Sequence, residues 1–96
     1  MNKIYISGAI TKNPSWKENF STVVKMLEKS GYIVLSPLLL SELNLSYEEY
    51  LKIEFSMIEV CDCIYMLADY ESSIGACREL NYALALNKQV IYEGKN

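Results

Sequence analysis

Four short β-rich runs, KIYISG, YIVLSP, CDCIYML and KQVIYE, alternate along the chain with three stretches of helical period. Strands that alternate with helices through loops of a few residues predict a parallel sheet with right-handed crossovers and helices over both faces. The expected fold class is α/β: a small Rossmann-like (flavodoxin-like) three-layer sandwich with a mainly parallel four-stranded sheet. In such sheets ligands bind beyond the carboxyl ends of the strands, where the strand order reverses. Three loops are thereby singled out: residues 7–14, the segment from Ser36 onward, and residues 68–73.

Punctuation supports the order of elements. Ser15 and Glu18 have the spacing of a capping box, followed by an apolar stripe of Trp16, Phe20, Val23, Val24 and Leu27 and a stop at Gly31. Ser46 and Glu49 repeat the capping spacing before a second helix, whose inward face reads Tyr47, Tyr50, Leu51, Ile58 and Cys61. The segment LLLSELNLS has no clear period and is expected to be a loop or a short helix. Ser72 or Ser73 caps a third helix, IGACRELNYALALN.

The whole chain, residues 1–96, is expected to be one domain, with no repeat or linker. Half of its residues are hydrophobic and 22% are charged, a globular balance. A net charge of −3 argues against a nucleic-acid partner, which needs a basic face to displace counterions. The longest apolar stretch, YIVLSPLLL, is far short of a membrane span, and the N-terminus lacks the pattern of a secretory signal, so a cytoplasmic location is expected. Cys61, Cys63 and Cys77 are too few for a zinc site in a chain without histidine; they read as small buried hydrophobes, and neither a metal nor a cofactor is expected.

Two carboxylates stand out because they fall on or beside apolar stripes. Glu79 sits near Ala76, Tyr82 and Ala83 at the margin of the third helix's buried face, and Glu54 lies between Leu51 and Ile58 on the second. A carboxylate in such a place is paired, hydrogen-bonded or neutral, unless it tips out to solvent. Both helices point toward the predicted crevice, and two acids there suit glycosyl chemistry, with one attacking the anomeric carbon and the other managing a proton. Tyr5 is either a core tyrosine or a hydroxyl that orders a nucleophile. Asp69 and Glu71 are further acids in the third loop. Ser73 and Gly75 leave the first amides of a helix open to an anion, or simply cap it.

IYISGAI, Ser-x-Gly-x-x-x-Glu in SIGACRE, and LNYALAL together resemble the nucleoside 2-deoxyribosyltransferase superfamily, closest to its compact bacterial and phage members. The resemblance implies that Glu79 is the nucleophile that takes the deoxyribosyl group as an ester. It implies that Tyr5 contacts that site, that Gly8, Ala9 and Ile10, with Ser7 before them, pack beside sugar and base, and that Glu54 stands where the family usually has aspartate. Asp69 joins the substrate-binding set. Serine six residues before the nucleophile, here Ser73, resembles the deoxynucleoside 5′-monophosphate N-glycosidases, in which it helps to hold the phosphate. Relatives usually continue past the last strand and often complete their site with C-terminal residues of a neighbouring subunit, which implies a homodimer or higher homo-oligomer. The implied function is cleavage or transfer at the N-glycosidic bond of a small-molecule nucleoside or nucleotide. A binding module that holds a nucleotide, or a nucleotide-derived signal, without catalysis is the other reading.

Overall fold

The computed structural model describes residues 2–94. The elements follow in the expected order: β1 (Lys3–Ser7), α1 (Trp16–Lys29), β2 (Ile33–Leu35), α2 (Tyr47–Val60), β3 (Cys63–Met66), α3 (Ile74–Ala85) and β4 (Gln89–Tyr92). The strands form one sheet in the order β2-β1-β3-β4, and every neighbouring pair is parallel. The chain leaves β1 toward one side and returns to β3 on the other, so the order reverses between these two central strands. Their carboxyl ends lie in register, Ser7 opposite Met66. The crevice expected from topology therefore opens above those two residues.

Side chains alternate across each strand, and this period of two sorts the core into two layers. Ile4, Ile6, Cys63, Tyr65 and Leu67 face Phe20, Val23 and Leu27 of α1. Tyr5, Ile64 and Met66 face the other way, toward Ile58, Cys61, Ala76 and Ala83 in and beside α2 and α3. Cys61 and Cys63 thus belong to different layers, and all three cysteines are free thiols. Gly31, at φ +94°, ends α1 in the left-handed conformation; the Tyr32 N–H reaches back to the Leu27 carbonyl at 3.1 Å and closes the last turn.

The second capping box forms as expected: the Ser46 hydroxyl accepts from the Glu49 N–H, and Glu49 accepts from the Ser46 N–H. The first does not. Ser15 makes no side-chain cap bond, because its backbone (φ −97°, ψ 12°) is not extended as a capping serine requires. The chain instead enters α1 through a turn at Asn13, whose side-chain oxygen accepts from the Ser15 N–H. The unpatterned segment after β2 begins as a short 3₁₀ turn, Pro37–Leu40, capped by the Ser36 hydroxyl, and then continues irregularly to α2. No helix among the described residues is long and apolar enough to cross a membrane.

Candidate active site

The start of α3 is capped by Ser73, whose hydroxyl accepts from the Ala76 N–H at 3.1 Å. Glu79 follows between Ala76 and Ala83 on the buried face and is only 4% exposed, so it lies within the apolar stripe rather than at its margin. Three groups receive it. The alternation of β1 sends Tyr5 and Ser7 to this side of the sheet, and both are wholly buried. The Tyr5 hydroxyl donates to Glu79 Oε2 at 2.8 Å and the Ser7 hydroxyl to Oε1 at 2.5 Å. From α2, the half-buried Glu54 carboxyl hydrogen-bonds the same carboxylate.

Burial pushes both carboxyls above the ordinary range, and the two share one proton. That proton belongs on Glu54. Burial first, then the charge of Glu79 and the hydrogen bond to it, push Glu54 up to about 9. Glu79 is raised by burial, but Glu54, Ser7 and Tyr5 oppose the rise by donating to its anion. Tyr5 is itself raised well above the usual phenol value by burial and by the two acids, so it remains a donor at neutral pH. The site is a buried Glu79 carboxyl that accepts from three donors, beside a Glu54 whose proton is held up to about 9. Among the described residues Glu79 makes no salt bridge. Its neighbour Arg78 points elsewhere, because successive helical residues are rotated by about 100°.

Glu79 and Glu54 lie on the wall of a cleft of about 700 Å³ at the carboxyl end of the sheet. Gly8, Ile10, Ser73 and Gly75 line it, together with Trp16 from the start of α1 and Tyr50 from α2. Tyr5, Ser7, Ala9 and Asp69 are not among the lining residues. Tyr5 and Ser7 lie beneath it, reaching Glu79. Asp69 ties the first loop to the third: its carboxylate accepts from the Ala9 N–H and from the Asn13 side-chain amide, each at 3.2 Å. Gly8 permits this approach of the two loops, since a Cβ there would lie 2.7–2.9 Å from the Leu67 side chain.

The sequence reading missed a cluster at the starts of α2 and α3. The Tyr47 hydroxyl and the Ser73 hydroxyl each lie 3.8 Å from the point where a Cβ on Gly75 would sit. The Arg78 guanidinium stacks over the Tyr47 ring at 5.8 Å, with Nη1 3.5 Å from the hydroxyl. Lys12 lines the cleft from the first loop. Neither cation has an ion-pair partner among the described residues. Tyr47 was assigned to the inward face of α2, but it is 51% exposed at the first residue of the helix. No group of three or more His, Cys, Asp or Glu side chains among the described residues is arranged to hold a metal ion.

A family model described as Domain of unknown function (DUF4406) matches residues 2–92. The chain belongs to this family. No curated protein sequence matches the chain. In structure this DUF4406 domain is similar to a 2-desoxiribosyltransferase from Leishmania mexicana, with a TM-score of 0.75 and 26% identity over 96% of this chain and 63% of that one. It is similar to a 2-deoxyribosyltransferase from Bacillus psychrosaccharolyticus, with a TM-score of 0.78 and 22% identity over 98% of this chain and 75% of that one. It is also similar to the Clostridium botulinum CMP N-glycosidase BcmB, with a TM-score of 0.72 and 20% identity over 95% and 70%. The DUF4406 domain spans less than two thirds of the Leishmania protein's length. The resemblance read from the sequence therefore holds at the level of the fold across nearly the whole chain.

Proposed function

We propose that the protein cleaves the N-glycosidic bond of a (deoxy)nucleotide, or transfers its sugar to another base, with Glu79 as nucleophile. The observation that carries this reading is the buried Glu79 carboxylate, held by Tyr5, Ser7 and Glu54 at the wall of a cleft above the strand ends. A carboxylate buried at such cost and paired with no cation is poised to lose its charge by forming a bond. The similar structures are those of two 2-deoxyribosyltransferases and a CMP N-glycosidase, which supports the assignment.

In the first step a Glu79 oxygen bonds to the anomeric carbon, and the carbon–nitrogen bond breaks with its electron pair moving to the base. Glu54 supplies the proton. Its proton is held first by burial and then by the charge of Glu79, so when that charge is consumed in the ester the second hold is released and Glu54 becomes a stronger acid as the leaving base needs a proton. Glu54 touches Glu79, whereas the carboxyls of a retaining glycosidase stand about 5–5.5 Å apart across the scissile bond. Glu54 therefore swings away from the nucleophile to reach the base. In the second step water, or an acceptor base, attacks the anomeric carbon, gives a proton to the Glu54 carboxylate and returns the electron pair to Glu79.

A nucleotide is favoured over a nucleoside by the wall at the start of α3. The Ser73 and Tyr47 hydroxyls, Arg78 and the open amides beside Gly75 suit a phosphate, with Lys12 adding charge from the first loop. Nucleosides and their 5′-monophosphates, incubated with the protein and analysed for free base by chromatography, test both points. Base is expected from a monophosphate with wild type and none with Glu79→Gln. Saturable nucleotide binding without base release, with or without an added acceptor base, would instead establish a binding module.

A further inference from the structure

Ser7 is an unusual partner for Glu79. It is wholly buried at the last residue of β1, it does not line the cleft, and its hydroxyl lies 2.5 Å from Oε1 while Tyr5 holds Oε2. Each carboxylate oxygen therefore has a neutral hydroxyl donor of its own. A donor lowers the basicity of the oxygen it touches, so it makes a carboxylate a weaker nucleophile and a better leaving group. A site selected only for attack gains little from a second donor. A site that must also release the sugar gains directly.

We propose, resting on the assignment of Glu79 as nucleophile, that Ser7 is a positioning residue for the second half-reaction, in which the glycosyl ester is broken. In that step water bonds to the anomeric carbon and its proton passes to Glu54. The bond from that carbon to the Glu79 oxygen breaks, and the electron pair returns to a carboxylate that Ser7 is already placed to solvate. Tyr5 performs the same service at the other oxygen, so whichever oxygen carries the sugar, the carbonyl oxygen of the ester keeps a donor. No atom of Ser7 touches the substrate. Its influence is exerted through the charge that Glu79 regains.

Ser7→Ala is expected to leave the first release of base near the wild-type rate while slowing steady-state turnover about tenfold, the scale of one lost hydrogen bond to an anion. With the four deoxynucleoside 5′-monophosphates as probes, rapid acid quench and intact-mass spectrometry should then show the glycosyl adduct accumulating on Ser7→Ala and not on wild type. Ser7→Cys keeps the packing with a weaker donor and should fall between the two, which also covers a failure of the alanine variant to fold. A carbon-13 titration of the Glu79 carboxyl, made without substrate, should move upward in both variants.

Wild-type turnover with no adduct in either variant and an unmoved titration overturns the role of Ser7 and leaves Glu79 as nucleophile intact. No base release by wild type from any probe overturns the assignment of Glu79, and this inference with it.

Discussion

The two faces of the sheet are built from the same strands and do opposite things. Beneath α1, Ile4 and Ile6 meet Phe20, Val23 and Leu27, and the buried residues of that layer are apolar apart from the Tyr65 hydroxyl and the Cys63 thiol. Beneath α2 and α3, the alternate residues of β1 are Tyr5 and Ser7, and a carboxylate lies between two alanines. The first face gains stability from close packing. The second gives some of it up, because burying a charge costs more than burying a methylene and is only partly offset by its donors. One strand serves both ends because its period of two keeps them apart.

Substitutions on each face should separate these roles. Glu79→Gln preserves the shape of the site and removes its proposed nucleophile. Base release should fall at least about 1,000-fold, while the melting temperature at pH 8 should be no lower than that of wild type, since a buried charge is gone. A large loss of stability would mean that Glu79 is structural and that the two faces do not differ as described. Phe20→Ala on the opposite face should do the reverse. It should cost about 3–5 kcal/mol and lower the melting temperature by on the order of 15–30 °C, with base release per folded molecule retained.

Smaller effects sharpen the division within the second face. Arg78→Gln should raise KM for a 5′-monophosphate about tenfold, the scale of one charge-assisted contact, and leave KM for the parent nucleoside unchanged. Equal effects on both would remove the phosphate from this wall. Glu54 gives the pH dependence. Its folded value of about 9 stands above its ordinary 4.5, so the native state binds more protons between these values and stability falls as pH rises from 4.5 toward 9. Glu54→Gln should flatten that decline, seen in melts from pH 5 to pH 9, and remove the alkaline fall in activity along with most of the activity itself. A decline that persists in Glu54→Gln would assign it to another group.

Much of this is legible in the sequence. The alternation of elements, the Ser46–Glu49 box and the stop at Gly31 are local signals, each written within one or two turns of chain, and the structure contains them all. The Ser15–Glu18 box has the same spacing and does not form, because Asn13, tied to Asp69 from 56 residues away, sets the entry to α1. Spacing alone carries no account of a tether that arrives from another loop. The same limit explains Tyr47 and Arg78. The first was read on the inward face of α2, yet the two meet each other across two helices in the cleft.

The sequence by itself determined the parallel three-layer fold and raised Glu79 and Glu54 as anomalies, because both follow from periodicity and from the cost of polar groups on apolar stripes. What the two acids do for each other was decided only by tertiary structure. Tyr5 and Ser7 lie 74 and 72 residues from Glu79, and their hydroxyls reach separate oxygens of one carboxylate only because β1 runs beneath α3. The protonation of the pair, and with it the chemistry open to the site, is a property of distance and burial, and neither is written in the order of residues along the chain.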